Sequence, residues 1–432
     1  MADCRPPDRR LVLIGLAAAA VPTILRAEPE PLAFTGAQGW AARVSGGRGG
    51  QIIRVTTLAS TGLGSLHAAV STKGPRIIVF EVGGVIDLGG KVLRIREPLC
   101  TIAGQTAPDP GITLIRGGLV IEGDDVVIRH IRVRPGSAGF ARGSGWECDA
   151  INVFKARGVI VDHCSLSWGT DENLSASGPR FTGATPSQWR AGTSRDITFS
   201  NNIVAEGLSK STHGHGEHSK GSILNYNVSS VLITKNLYAS NRQRNPLFGG
   251  GARGAVVNNL IYNPGTQAVM LSSQPTDVGD HLVPEGLIAV IANVLQPGPA
   301  TIKRLALLRA SGGTWSVLLD QNLLLGGTQL AAPPLAGVNL VCESPFLIPN
   351  LSLLPNVQVR EHVLTNAGAR PWARDRVDAR IVAEARAGTG RIIDDQAQVG
   401  GYPSYPEARR HFDLMRLDSD MGSGHRTGTD IR

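Results

Sequence analysis

Aromatic residues make up only 5% of this 432-residue sequence, and charged residues only 18%. Cysteine is scarce at five residues, and the four beyond residue 27 (Cys100, Cys148, Cys164 and Cys342) have spacings that match no metal knuckle. A zinc ribbon is therefore excluded, and buried thiols are expected among them. No amphipathic helix of useful length recurs along the chain, which argues against strands joined by crossover helices. No nucleophile elbow and no phosphate loop is found. Lys and Arg form no dense runs, so no nucleic-acid partner is expected. The longest apolar run near the start, residues 11–21, is too short to span a bilayer.

What is present is glycine, at 53 residues, in a pattern of short apolar segments divided by turns. That profile suits many short strands better than a helical protein. The net charge of +8 points to a polyanionic partner, and an acidic polysaccharide fits it. Arg9-Arg10 before the apolar run, and Ala27 at a plausible cleavage point, mark 1–27 as a signal peptide, with twin-arginine export as one route. A secreted or periplasmic monomer without stable membrane insertion is expected.

One pattern recurs between residues 199 and 327: "FSNNIVAEG", "ITKNLYASN", "VVNNLIYNP", "VIANVLQPG" and "LLDQNLLLGG". The aligned asparagines, Asn202, Asn236, Asn259, Asn293 and Asn322, are 34, 23, 34 and 29 residues apart. Self-similarity at this spacing signals stacked supersecondary units. "VVIRHIRVRPG" and "VIVDHCSLSWG" have the same shape, with His130 and His163 near the asparagine position. Short strand, bend, short strand, repeated once per coil, predicts an all-β parallel β-helix. Asparagine suits such a bend because it tolerates left-handed backbone angles, and stacked amides can bond along the coil. A β-sandwich would give hairpins and no recurring bend residue. The expected domain spans 28–411, with a capping helix in the second half of "VTTLASTGLGSLHAAV". A final segment, helical around 377–386, is expected to fold back on the coils. Residues 412–432 are polar and Gly-rich, which predicts a disordered tail.

"WECDAINV" at 146–153 holds two acids two apart before an apolar strand. Strict alternation would put both acids on the face of Ile151 and Val153. The parity must break near Ala150, leaving Glu147 and Asp149 at the end of a turn. About one coil later "SWGTDENLS" presents Asp171 and Glu172. Four carboxylates on adjacent coils make an all-oxygen site suited to Ca²⁺. "THGHGEH" places His213, His215 and His218 in a Gly-rich loop, read as a flexible loop on the substrate side. Asp162 and His163 are assigned to stacking in a coil bend.

"RIIVFEVGGVIDL", "TIAGQTAPDPGITL", "VVIRHIRVRPG", "GVIVDHCSLSWGTDENLS", "EGLSKSTHGHGEHSKG", "NRQRNPL" and "VDARIVAEARAGTGRIIDDQAQVGGYP" together resemble the pectate lyase superfamily, polysaccharide lyase family 1. The likeness covers most of 34–405. It implies a right-handed parallel β-helix that cleaves α-1,4-polygalacturonate by Ca²⁺-assisted β-elimination. Residue by residue, it implies metal ligation by Glu147 and Asp149, and by Asp171 or Glu172. Arg244, in "NRQRNPL", matches the family's catalytic arginine, and Lys220, in "HSKG", a substrate-contacting lysine. A second arginine is expected a few residues on, where 249–251 are glycines, so Arg242 or Arg253 takes that place. Two other functions fit a β-helix. A polygalacturonase would use carboxylates without metal, but its Asn-Thr-Asp and paired-aspartate stretches are missing in the expected order. A non-catalytic carbohydrate-binding β-helix would have no need of Arg244 beside the acids.

Overall fold

The computed structural model describes residues 30–410. The signal peptide expected at 1–27 and the disordered tail expected at 412–432 lie outside the described residues. Within them, short strands pair into three long sheets of eleven, nine and ten strands, all in parallel except Ala408–Arg409, which adds antiparallel to the edge of the third. The first sheet runs from Gln51–Val55 to Val338–Val341, and each strand pairs with its counterpart one coil away. One coil shows the path. Arg157–Asp162 lies in the first sheet, Ser165–Ser167 in the third and Leu174–Ser177 in the second. Arg195–Ser200 then returns to the first sheet. This is the right-handed parallel β-helix expected from the repeats and the resemblance.

Side chains stack inside the coil in register. Val161, Phe199, Ile233, Val256 and Val290 follow one another through successive pairings, all fully buried. Each such side chain contributes roughly 1.5–3 kcal/mol of burial, so the column is a main source of stability. The parity break near Ala150 is observed. Ala150 and Ile151 are both buried, the strand Ile151–Phe154 begins there, and Val153 faces inward.

The asparagine ladder exists, with one correction. Asn202, Asn236, Asn259, Asn293 and Asn322 do not take the left-handed conformation; the residue before each of them does. Asn201, Lys235, Asn258, Ala292 and Gln321 have φ between 50° and 57°. His130 and His163 occupy this same preceding position, with φ of 59° and 48°. The ladder asparagines are selected for their amides instead. Asn236 Oδ1 accepts from the Asn202 backbone N–H at 2.8 Å and from its Nδ2 at 3.0 Å, and the pattern repeats down to Asn322. Every rung satisfies a buried N–H that the bend would otherwise orphan.

The expected capping helix forms at Leu66–Val70, capped by Ser65 and burying Leu66, Ala69 and Val70 against the first coils. The final segment carries helices Asn356–Asn366 and Arg376–Ala387, and it folds back on the third sheet. Val359, Val363, Ile381 and Ala385 pack on Ile203, Leu237, Leu260 and Val294. A buried ion cluster locks this contact. Arg134 reaches Asp375 at 2.6 and 3.0 Å and Asp378 at 2.9 Å, and Arg380 forks onto Glu206 at 2.7 and 2.8 Å. Cys100, Cys148 and Cys164 are buried free thiols. No helix among the described residues is long and apolar enough to cross a membrane.

Candidate active site

Between the third and second sheets, successive coils turn through 135–150, 168–173, 206–222 and 240–246. Because the coils are in register, these four loops stack at one corner of the helix. Single parallel bridges tie them together: Glu172 pairs with Lys220, and Lys220 with Gln243. Sequence distances of up to about a hundred residues collapse to neighbouring rungs, and nearly all the expected site residues meet here.

Asp149, Asp171 and Glu172 each offer a carboxylate oxygen within 4.8 Å of the others. The pair Asp149 and Glu172 is braced by backbone, since the Glu172 N–H donates to Asp149 Oδ1 at 2.9 Å. Burial, then the charges of Asp171 and Glu172, push the Asp149 carboxyl well above the usual range. Burial also raises Glu172, against the pull of Arg244, whose Nη1 contacts Glu172 Oε1. Glu147 stands apart from these three. Its Oε1 accepts from the Gly214 N–H at 3.3 Å and lies 3.4 Å from His213 Nε2.

The histidine loop brings His213 and His218 into the site, while residues 214–217 stay exposed. His213 and His218 are buried, with rings stacked at 3.4 Å between centroids. The His215 N–H donates to His213 Nδ1 at 3.1 Å, so the neutral His213 ring carries its proton on Nε2, facing Glu147 and Asp171. His218 Nε2 lies 2.9 Å from Asp171 Oδ1 and 2.6 Å from Lys220 Nζ. Burial and Lys220 push His218 down to about 3, so its ring is neutral at ordinary pH. Burial, then Arg244, lower Lys220 to about 8.

Of the two candidates for the second arginine, only Arg242 is at this corner, held by Glu217 at 2.8 Å. Arg253 begins a strand of the first sheet, away from these loops. One feature had no sequence signal. Asn173 Nδ2 donates to Asn241 Oδ1, and Asn241 Nδ2 to Asn245 Oδ1, both at 3.1 Å. This buried amide chain runs beneath Glu172 and Arg244 and fixes the loops that carry them; its irregular spacing hides it in the sequence. Asp162 and His163 lie at the bend from the first to the third sheet. Asp162 is saturated by Arg129, His163, Ser200 and Asn201, and the His163 ring stacks on His130 at 5.1 Å, as assigned.

The chain is 32% identical over 381 residues to a probable pectate lyase C of Aspergillus flavus, covering 86% of this chain and 81% of that one. A probable pectate lyase C of Emericella nidulans is 31% identical over 390 residues, covering 88% and 82%. The fold matches the major allergen from cedar pollen with a TM-score of 0.55 at 17% identity, over 77% of this chain and 92% of that one. It matches a pectate lyase bound to a hexasaccharide with a TM-score of 0.51 at 17% identity, over 78% and 97%. No family model matches. Fold, corner and relatives define a polysaccharide lyase. The chain belongs to the pectate lyase family.

Proposed function

We propose that the protein is an exported pectate lyase that cleaves α-1,4-linked polygalacturonate by Ca²⁺-dependent β-elimination. One observation carries this reading: Asp149, Asp171 and Glu172 converge beside Lys220 and Arg244 on four adjacent rungs. Four carboxylates, counting Glu147, face two cations here; burial, and then the neighbouring acids, raise Asp149, while burial raises Glu172 against the pull of Arg244. An all-oxygen donor set with surplus charge fits a hard dication. Asp149, Asp171 and Glu172 would hold it, joined by Glu147 once that side chain leaves Gly214. When bound, Ca²⁺ supplies Lewis-acid neutralisation of the uronate carboxylate, which makes the C5 proton acidic.

The chain's own residues do the rest. Arg244, aimed by Glu172, takes the C5 proton. A guanidinium ordinarily keeps its proton, so this role demands alkaline conditions. Lys220, buried between Arg244 and His218, directs its Nζ to the carboxylate on which enolate charge grows. Arg242, braced by Glu217, holds a neighbouring uronate. The C5–H electrons form the C4–C5 double bond as the C4–O bond breaks. That bond's electron pair leaves on the glycosidic oxygen, which takes a proton from water to become the hydroxyl of the new reducing end, and the remaining product is conjugated with its carboxylate.

That product absorbs ultraviolet light and a hydrolysis product does not. Polygalacturonate incubated with the protein and Ca²⁺ is expected to yield absorbing oligomers, fastest at alkaline pH. Excess chelator should abolish the signal and Ca²⁺ restore it. Full activity in chelator would overturn the metal assignment; new reducing ends without absorbance would overturn elimination.

A further inference from the structure

Beside the catalytic corner, two hollows of about 240 and 310 Å³ share Arg142, Lys210 and Ser211 and so form one continuous groove. Its near end touches His213 and Glu217, and its far end is floored by Phe140. Together the hollows reach the size range of ligand sites, roughly 300–1,000 Å³.

The groove is built, not a gap between loose loops. The Gly143 and Gly145 N–H groups donate to Ser211 O and Thr212 O, each at 2.9 Å, and Thr212 Oγ1 donates to Trp146 O at 2.6 Å. These bonds zip loop 141–146 to loop 211–213. The preceding turn is tied to the C-terminal segment, since the Ser137 N–H donates to Gln396 Oε1 and the Ala138 N–H to Tyr402 Oη, both at 3.0 Å. Phe140 is 44% exposed, and its inner face stacks on Trp146 at 5.0 Å with 19° between planes, so one face stays open.

Charge gives the groove its character. Arg142 and Lys210 are exposed, and among the described residues neither makes an ion pair. The acids nearby hold other partners, although Asp394 and Asp395, which line the same hollow, keep their charge. Glu217 pairs with Arg242, Asp394 accepts from the Lys210 backbone N–H at 2.9 Å, and Asp395 caps Ala397. Two exposed cations without ion pairs, on loops bonded to one another and beside a partly exposed aromatic ring, match a polymer with a carboxylate on every ring.

Resting on the lyase reading above, we propose that this groove is an additional subsite for the polyuronate chain. Arg142 and Lys210 bind carboxylates of sugars away from the scissile bond, and Phe140 packs on a ring face. Charge-assisted pairs of this kind add affinity for long chains and little for short ones.

The test is the double variant Arg142→Ala/Lys210→Ala, compared with a charge-matched control, Lys73→Ala/Arg309→Ala. The ratio of kcat/KM on polymer to kcat/KM on trigalacturonate is expected to fall about five-fold in the first and to hold in the second. Arg142→Lys with Lys210 intact should recover most of the ratio. A ratio that stays the same, or falls equally in the control, overturns the subsite. Retardation in gels containing polygalacturonate, run without Ca²⁺, reads binding without turnover. If the wild type cleaves neither substrate but its retardation still depends on Arg142 and Lys210, the lyase reading fails and the subsite stands.

Discussion

Glu172 serves two partners at once: it belongs to the acidic triad and it holds Arg244. Burial raises its carboxyl while Arg244 draws it down, so the group is poised between protonation, a cation and the guanidinium. Each role can be tested separately. Arg244→Lys keeps the charge but loses the planar fork; turnover should fall at least about 100-fold, roughly 2.7 kcal/mol of barrier, while KM changes little. Near-normal turnover would place the base elsewhere. Asp149→Ala should raise the Ca²⁺ concentration for half-maximal activity about ten-fold or more. Its circular dichroism should match the wild type, because the coil beneath is held by apolar stacking rather than by this carboxylate.

At the scale of elements, the ladder and the bend make different predictions. Asn236 accepts from Asn202 and donates to Asn259 Oδ1 and Phe199 O, each at 2.9 Å. Asn236→Ala leaves several buried groups unpaired and should cost about 3 kcal/mol, read as a lower denaturant midpoint. His130 lies in the same row of bends, pushed down to about 4 by burial and Arg129. A histidine lowered on folding stabilises the fold above its ordinary value, near 6.5, and that contribution is lost as pH falls towards 4. His130→Asn tolerates the left-handed φ and does not titrate, so its stability should depend less on pH between about 6.5 and 4, by up to about 3 kcal/mol. An identical slope would show that His130 is not the sensor.

These elements also show what could be read in the sequence. The asparagine repeat disclosed the coil because each rung needs one buried amide, and need repeated at an interval is visible. The break at Ala150 was visible because Ile151 and Val153 must face inward, whatever the acids do. The stacking of His213 on His218 was not, since it depends on how an aperiodic loop folds onto Asp171. The Arg134 cluster with Asp375 and Asp378 joins residues about 240 apart, and only the docked C-terminal segment reveals it. The conformational role assigned to the ladder asparagines was misplaced by one residue. Amide bonding and left-handed geometry are both plausible for asparagine, and the pattern alone does not separate them.

For the whole molecule, the excess of +8 sets how it meets a polyanion. Attraction over more than about 10 Å is screened at ordinary salt. KM for polygalacturonate is therefore expected to rise about three-fold or more between roughly 50 and 300 mM salt. The rate at saturating substrate should change far less. A KM indifferent to salt would mean that contact, not long-range attraction, gathers the substrate.

The three buried thiols supply clocks for the native stack. Burial pushes Cys100 up to about 11 and Cys164 up to about 12, and Cys148 higher still, so none presents a nucleophilic thiolate while its coil is closed. Cys100 lies in an early coil, Cys164 at a central bend and Cys148 directly under the proposed catalytic corner. Alkylation at each, followed by peptide mass, would time the opening of its own coil. Cys100 should label first if the stack frays from its end, and Cys148 first if the catalytic loops breathe independently of the scaffold.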